Sequence, residues 1–332
     1  MTSQPLRTAL AGATLLCLHL TPAGAQTFEG PGARAQGMAA FVAVADDASA
    51  VYWNPAGVGS GAFFSLVIDR TDSETAAGGA EPAGSRSSWL LALSAKAIGL
   101  SYYRLRFTTA AARPGDPTAL PPPGSVGLSH VESLVTHNTG ATLVRSLTDR
   151  VIVGATVRLV RGVATVGDAP GSPEDLVHDW ELMGIATNRF DTDVGIMATG
   201  DIVRAGVTVR NLWQPKFDTG SGELRLDRQA RAGVAVLLIP GWTAALDLDL
   251  TENRGPFGDV RTLAFGAEGR LARRVFARGG VQLNTAGDHG RVPMATFGGS
   301  YAALGSLLID AHFSTGSGRA LGGWGVAGRV VF

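Results

Sequence analysis

The 332-residue chain balances 28 Lys+Arg against 28 Asp+Glu, and it is 45% hydrophobic but only 17% charged. With no basic excess it offers no electrostatic footprint for nucleic acid, and no nucleic-acid partner is expected. Its 45 glycines disfavour a helical fold, because Gly in a helix interior costs roughly 0.5–1 kcal/mol relative to Ala.

The chain opens on a segment that reads as a cleaved signal peptide, residues 1–25. Arg7 supplies the positive n-region, Thr8 to Leu20 an apolar stretch too short to span a bilayer, and Ala23-Gly24-Ala25 the small-residue cleavage site. Cys17, the single cysteine, falls within it. The mature chain is therefore expected to hold no disulfide and no thiolate metal site. No other residue spacing fits a metal site, and no metal or cofactor is expected.

Residues 26–61 come next, rich in small residues and without strand-like alternation. Asn54-Pro55-Ala56 reads as a turn, because Pro fixes φ and Asn bonds its own backbone readily. Asp46 and Asp47 form an acidic pair.

From residue 62 the pattern changes to segments of about ten residues in which apolar side chains alternate with small, polar or charged ones. Val203, Ala205, Val207 and Val209 alternate with Arg204, Gly206, Thr208 and Arg210, and Leu246, Leu248 and Leu250 with Asp247, Asp249 and Thr251. Fourteen strands are predicted, near 62–70, 87–96, 97–107, 129–147, 150–162, 186–199, 201–212, 228–239, 242–252, 261–271, 274–284, 291–303, 306–315 and 320–332. Short turns at Lys96-Ala97, Thr148-Asp149, Gly200-Asp201, Pro240-Gly241, Ala272-Arg273 and Gly305-Ser306 alternate with longer loops such as 71–86, 108–128, 163–185 and 213–227, the second holding Pro121-Pro122-Pro123. An even strand number with alternating loop lengths is the pattern of an outer-membrane barrel with short periplasmic turns. The fold predicted is all-β, a closed transmembrane antiparallel barrel over 62–332, preceded by the separate segment 26–61. Outer-membrane lipid is its expected surroundings. Trp89, Tyr102, Tyr103, Trp242, Tyr301, Trp324 and Phe332 are expected in interfacial aromatic girdles.

One face of each strand collects charges of both signs: Arg158, Asp191, Asp193, Arg204, Arg210, Arg231, Asp247, Asp249, Glu268, Arg270, Arg278, Asp310 and Arg329. These are expected to face the lumen, either lining a polar passage or filling a narrow barrel with salt bridges. The balance of signs argues against a strongly ion-selective pore. Asp310, His312 and Ser314 share a strand face, but same-face neighbours on a strand stand about 7 Å apart, too far for a nucleophile–base hydrogen bond. No enzyme motif occurs elsewhere, and an enzyme is not expected.

The runs Gly32 to Met38, Phe41 to Asp47, and Tyr52-Trp53-Asn54-Pro55-Ala56-Gly57 resemble the N-terminal signature of the FadL superfamily, outer-membrane transporters of long-chain fatty acids and other hydrophobic compounds. A related group of secretion- and surface-attachment-associated barrels is similar there too. The resemblance implies a fourteen-stranded barrel with residues 26–61 folded inside as a plug or hatch, packed by the lumen-facing charges and bridged to the wall by Asp46 and Asp47, with a hydrophobic small molecule as ligand in the first case and bound partner proteins in the second. Phe332 resembles the terminal aromatic by which the barrel-assembly machinery recognises its substrates.

Overall fold

A computed structural model describes residues 30–75, 83–113, 127–179, 183–255, 258–286, 293–316 and 322–332. The expected signal peptide and Pro121-Pro122-Pro123 lie outside the described residues. Along the chain a short helix α1 (Ala33–Met38), a helical turn α2 (Ala50–Trp53) and a 3-10 turn (Pro55–Ser60) precede the strands β1 (Phe64–Thr75), β2 (Ala83–Ala95), β3 (Ile98–Ala112), β4 (Leu128–Ser146) and β5 (Val151–Pro170). Helix α3 (Pro173–His178) follows, then β6 (Ile185–Thr199), β7 (Val203–Arg210), β8 (Lys216–Asp218), β9 (Glu223–Arg225), β10 (Gln229–Ile239) and β11 (Trp242–Asp249). The chain finishes with β12 (Asn253–Gly255), β13 (Gly258–Val260), β14 (Thr262–Ala272), β15 (Val275–Asn284), β16 (Pro293–Ala302), β17 (Leu307–Gly316) and β18 (Gly322–Val331).

Fourteen of these strands form one closed antiparallel barrel, and β8–β9 and β12–β13 are two small hairpins in its loops. The ends of the sheet meet where β1 pairs with β18, Leu66 opposite Val330, Arg70 opposite Val326 and Glu74 opposite Gly322. Phe64 and Phe332 exchange both backbone hydrogen bonds, at 3.3 and 3.0 Å, and their rings lie 6.1 Å apart. Closure leaves no strand edge, the condition for a sheet to exist in lipid, where an unpaired N–H or C=O finds no water.

The strand period of two divides the side chains cleanly. Outside, Ile68, Leu91, Leu100, Leu159, Phe190, Val207, Leu246, Phe265, Phe297, Ile309 and Val326 are exposed, an apolar belt of the kind that faces hydrocarbon. Inside, the alternate positions are buried and are small, polar or charged. Tyr103 departs from the expected girdle. Its neighbour Tyr102 takes the outward position, so Tyr103 points into the lumen, where its ring meets Tyr52 edge-on at 5.3 Å.

The strand ends correct the expected loops. β1, β3 and β5 run past the predicted 62–70, 97–107 and 150–162, and β2 starts before the predicted 87, so parts of the expected loops 71–86, 108–128 and 163–185 are paired strand. Val163 to Pro170 continues the ladder against Leu128 to Val135. Beyond the bilayer the outward face no longer has to be apolar, so the alternation fades while the backbone pairing continues. Helix α3 then folds back over this extension. Leu176 and Val177 pack on Ala83, Ala110 and Val131, and Ser172 caps the helix by accepting from Asp175 N–H at 3.2 Å. The expected loop 213–227 holds the β8–β9 hairpin, whose Phe217 and Leu224, with the following Leu226, pack on lumen-side Leu134, Val160 and Ala164.

The long extensions and the short turns lie at opposite ends of the barrel. Cysteines introduced at exposed Glu174 and Asp149 should therefore differ on intact cells: an impermeant thiol reagent labels E174C and spares D149C. Equal labelling contradicts this orientation.

Candidate lumenal plug and ligand cavity

Residues 30–60 fold inside the barrel toward its short-turn end. Met38, Phe41, Ala45, Ala48, Val51, Tyr52, Trp53 and Val58 form a buried core with wall residues Val67, Leu90, Ala92, Tyr103, Ala235, Ala245 and Ala264. Trp53 donates through Nε1 to Pro31 O at 2.8 Å and meets Phe41 and Tyr52 edge-on. Asn54 caps the 3-10 turn: its Oδ1 accepts from Ala56 N–H at 3.2 Å, and its Nδ2 donates to Val42 O at 3.1 Å and across to the wall at Ile196 O, 3.3 Å. Pro55, Ala56 and Gly57 are buried in that turn.

The wall is thin where the plug touches it. A Cβ on Gly266 would stand 1.7 Å from Met38 O, and one on Gly195 would stand 2.1 Å from Asn54 Oδ1. Only glycine admits plug backbone and a buried amide this close.

Carboxylates of the wall hold the plug backbone. Asp69 accepts from the N–H groups of Gly32 at 2.8 Å and Ala33 at 2.6 Å, and Asp247 from those of Phe41 at 2.7 Å and Val42 at 3.0 Å. These N–H groups belong to bends and a helix start that leave them without a helical partner, so the wall supplies one.

Arg34 is the centre of the charge network. Its guanidinium reaches Asp46 at 2.6 Å and Asp47 at 3.0 Å within the plug and Glu268 of the wall at 2.8 Å, and it lies 5.2 Å from the Phe41 ring centre. Asp46 also faces Arg204 at 3.5 Å. Asp47 faces Arg329 at 3.5 Å and accepts from its neighbour Ser49. Burial works against ionising Asp47, but Arg34 and Arg329 prevail and hold its carboxyl below the ordinary carboxylate range. The network runs on along the wall: Glu268 to Arg278 at 2.9 Å, Arg278 to Asp310 at 3.3 Å, Asp310 to Arg329 at 3.1 Å.

A second cluster lies across the lumen. Arg158 donates to Tyr103 Oη at 3.0 Å and Asn138 Oδ1 at 2.8 Å and pairs with Asp191 and Asp193. Arg210 lies over the Tyr52 ring at 3.5 Å, beside Asp193 at 3.7 Å. Arg231 pairs with Asp249 at 2.6 Å, and Asp249 also accepts from Thr262 N–H. Arg270 is different. It shares the inward parity of Glu268 but lies past the plug, exposed at the short-turn mouth with its guanidinium 5.3 Å from the Phe276 ring. Phe332 is exposed at the barrel rim.

Sequence reasoning did not single out Arg34 or Asp69 for these roles. Asp69 was visible as a lone acid at an inward position of the first strand. Nothing in its own segment marks Arg34 as central, since the partners that define it are brought together by closure.

Between the plug and the β8–β9 hairpin lies a cavity that is partly open to solvent. Gly30 and Gln36 form its floor. Leu105, Phe107, Leu134, Leu226 and Met294 supply apolar surface, and Thr71, Ser88, Thr136, Arg86, His312 and Ser314 supply polar groups. His312 and Ser314 do not form a nucleophile–base pair. Ser314 donates instead to Gly323 O at 3.4 Å, and Asp310 is held by Arg278, Ser300 and Arg329.

The model of the family described as F plasmid transfer operon, TraF, protein matches residues 138–249. A search of curated proteins found no match. Among solved structures the chain is similar to the P. putida toluene transporter TodX, with 12% identity, 92% of this chain and 99% of that chain covered, and TM-score 0.64. It is also similar to a FadL homologue from Pseudomonas aeruginosa (11% identity, 94% and 100% covered, TM-score 0.59) and to the CymD monoaromatic hydrocarbon channel (13%, 91% and 98%, 0.57). At these identities the likeness is one of fold alone. Two of these neighbours are named as a transporter and a channel.

Replacing Arg34 by Ala should release the plug while leaving the barrel closed. Breaking a buried pair on one side costs about 3–5 kcal/mol, because its partners stay behind uncompensated. Hydrogen exchange at the Phe41 and Val42 amides should then quicken on the order of 100-fold, with heat-modifiable gel mobility unchanged. Unaltered exchange contradicts the central role of Arg34.

Proposed function

We propose that this protein is an outer-membrane barrel, exported by its N-terminal segment, that takes up a small hydrophobic molecule from outside. The observation that carries this reading is the half-apolar cavity above a sealed floor, reached from the long-loop side. A ligand pocket is usually a concave, mostly apolar space with a few polar groups that orient its occupant, and this one sets Leu105, Phe107, Leu134, Leu226 and Met294 beside Thr71, Ser88, Thr136 and His312. The apolar belt, the resemblance of the plug motif, and the fold shared with a toluene transporter and a hydrocarbon channel support the same reading. In it, the plug motif from Asp46 to Gly57 and the lumen charges form a hatch and its frame. The barrel-assembly machinery would dock the last strand at Phe332.

A second reading has one observation in its favour. The TraF-type match covers β4 to β11, and a barrel serving secretion or surface attachment would hold partner proteins rather than a small molecule.

Binding separates the two. Full-length barrel in phosphatidylcholine nanodiscs is titrated with the hydrophobic dye N-phenyl-naphthylamine, and the dye is displaced with toluene or dodecanoate. Uptake predicts saturable, displaceable binding. Met294→Trp, which fills the cavity, should weaken it about tenfold, the equivalent of ~1.4 kcal/mol, without altering gel mobility. An absence of saturable binding, or binding indifferent to Met294→Trp, contradicts the uptake reading.

A further inference from the structure

We propose that the outer wall of β1 to β5 carries a binding site for the phosphorylated headgroup of an outer-leaflet lipid. This goes beyond the lumenal reading and shares with it only the placement of the barrel in the outer membrane.

One cross-strand row on the outward face is basic. Arg70 stands opposite Trp89, Trp89 opposite Arg104, Arg104 opposite His137, and His137 opposite Arg161. Arg70 and Arg161 are exposed, and Arg104 and His137 half-buried. Adjacent strands lie about 4.8 Å apart, so Arg104 and Arg161 are separated by roughly 10 Å with His137 between them. No two arginines face each other directly, since Trp89 and His137 stand between them, and an anion over His137 lies within reach of both Arg104 and Arg161. Arg70 pairs with Asp72 at 2.8 Å and is set apart from Arg104 by Trp89, so the site centres on Arg104, His137 and Arg161, which stand side by side on three successive strands.

The height of the row identifies the anion. The next outward level toward the short-turn end is Ile68, Leu91, Tyr102, Thr139, Leu159 and Phe190, which is the rim of the apolar belt. Tyr102 Oη meets His137 Nδ1 at 2.7 Å, and Trp89 packs edge-on against Tyr102 at 5.6 Å, the amphipathic pairing found at a membrane interface. On the other side of the row Arg106 is turned under α3, donating to Val177 O and Asp179 O. The row is thus confined to the boundary between hydrocarbon and the covered extension. Guanidinium groups there match phosphate oxygens bidentately, while Leu91, Leu159 and Phe190 receive acyl chains.

The test uses full-length barrel in phosphatidylcholine nanodiscs doped with bisphosphorylated lipid A, and native mass spectrometry counts retained adducts. Wild type should retain lipid A about tenfold better than its dephosphorylated form. The double variant R104Q/R161Q should lose that preference with unchanged heat-modifiable mobility, and R273Q/R274Q, at a turn on the opposite end, should keep it. Equal retention of the dephosphorylated lipid, or an unaffected R104Q/R161Q, overturns the site. Displacement by millimolar inorganic phosphate overturns the assignment to a lipid.

Discussion

The buried guanidinium of Arg34 is the interaction on which the interior depends. It belongs to a six-residue helix with too few hydrogen bonds to persist alone, and it can be desolvated only because Glu268, Asp46 and Asp47 surround it. Those carboxylates are in turn held by Arg278, Arg204 and Arg329. An isolated charge in this position would be prohibitive, so plug and wall form one electrostatic unit. Neither the lumenal segment nor the wall around it is complete without the other.

The same constraint explains the composition. A plug that brings its backbone against the wall needs wall positions with no side chain, hence glycine at 195 and 266 and alanine at 235, 245 and 264. Its unpaired N–H groups need acceptors, hence Asp69 and Asp247. A closed barrel exposes apolar side chains to lipid and polar ones to its own interior, which inverts the usual distribution and lets a chain that is 45% hydrophobic carry so many buried charges. The cavity lies where this filling stops, between Gln36 on the plug and Leu226 beside the hairpin.

Much of this was legible in the sequence, because a strand has a period of two and each inward charge announces its face. The number of strands, their order and the lumen side of Arg158, Asp247 and Glu268 follow from alternation alone. What alternation could not show is what depends on closure or lies outside lipid. Tyr103 reads as half of a Tyr-Tyr girdle until parity is applied to both residues. β5 was cut short at 162 because its outward residues stop being apolar once the strand leaves the bilayer. The cavity, and the meeting of Arg34 with Glu268 more than two hundred residues away, arise from the fold and have no local signal.

The central claim is that residues 30–58 seal the lumen as a part anchored to the wall. Single-channel conductance of a barrel lacking those residues, compared with the full chain in the same planar bilayer, tests it most directly. The account predicts a folded, heat-modifiable barrel whose conductance is several times larger than that of the sealed protein. Equal conductance in a folded deletion variant would contradict it, since the segment would then not be what closes the barrel.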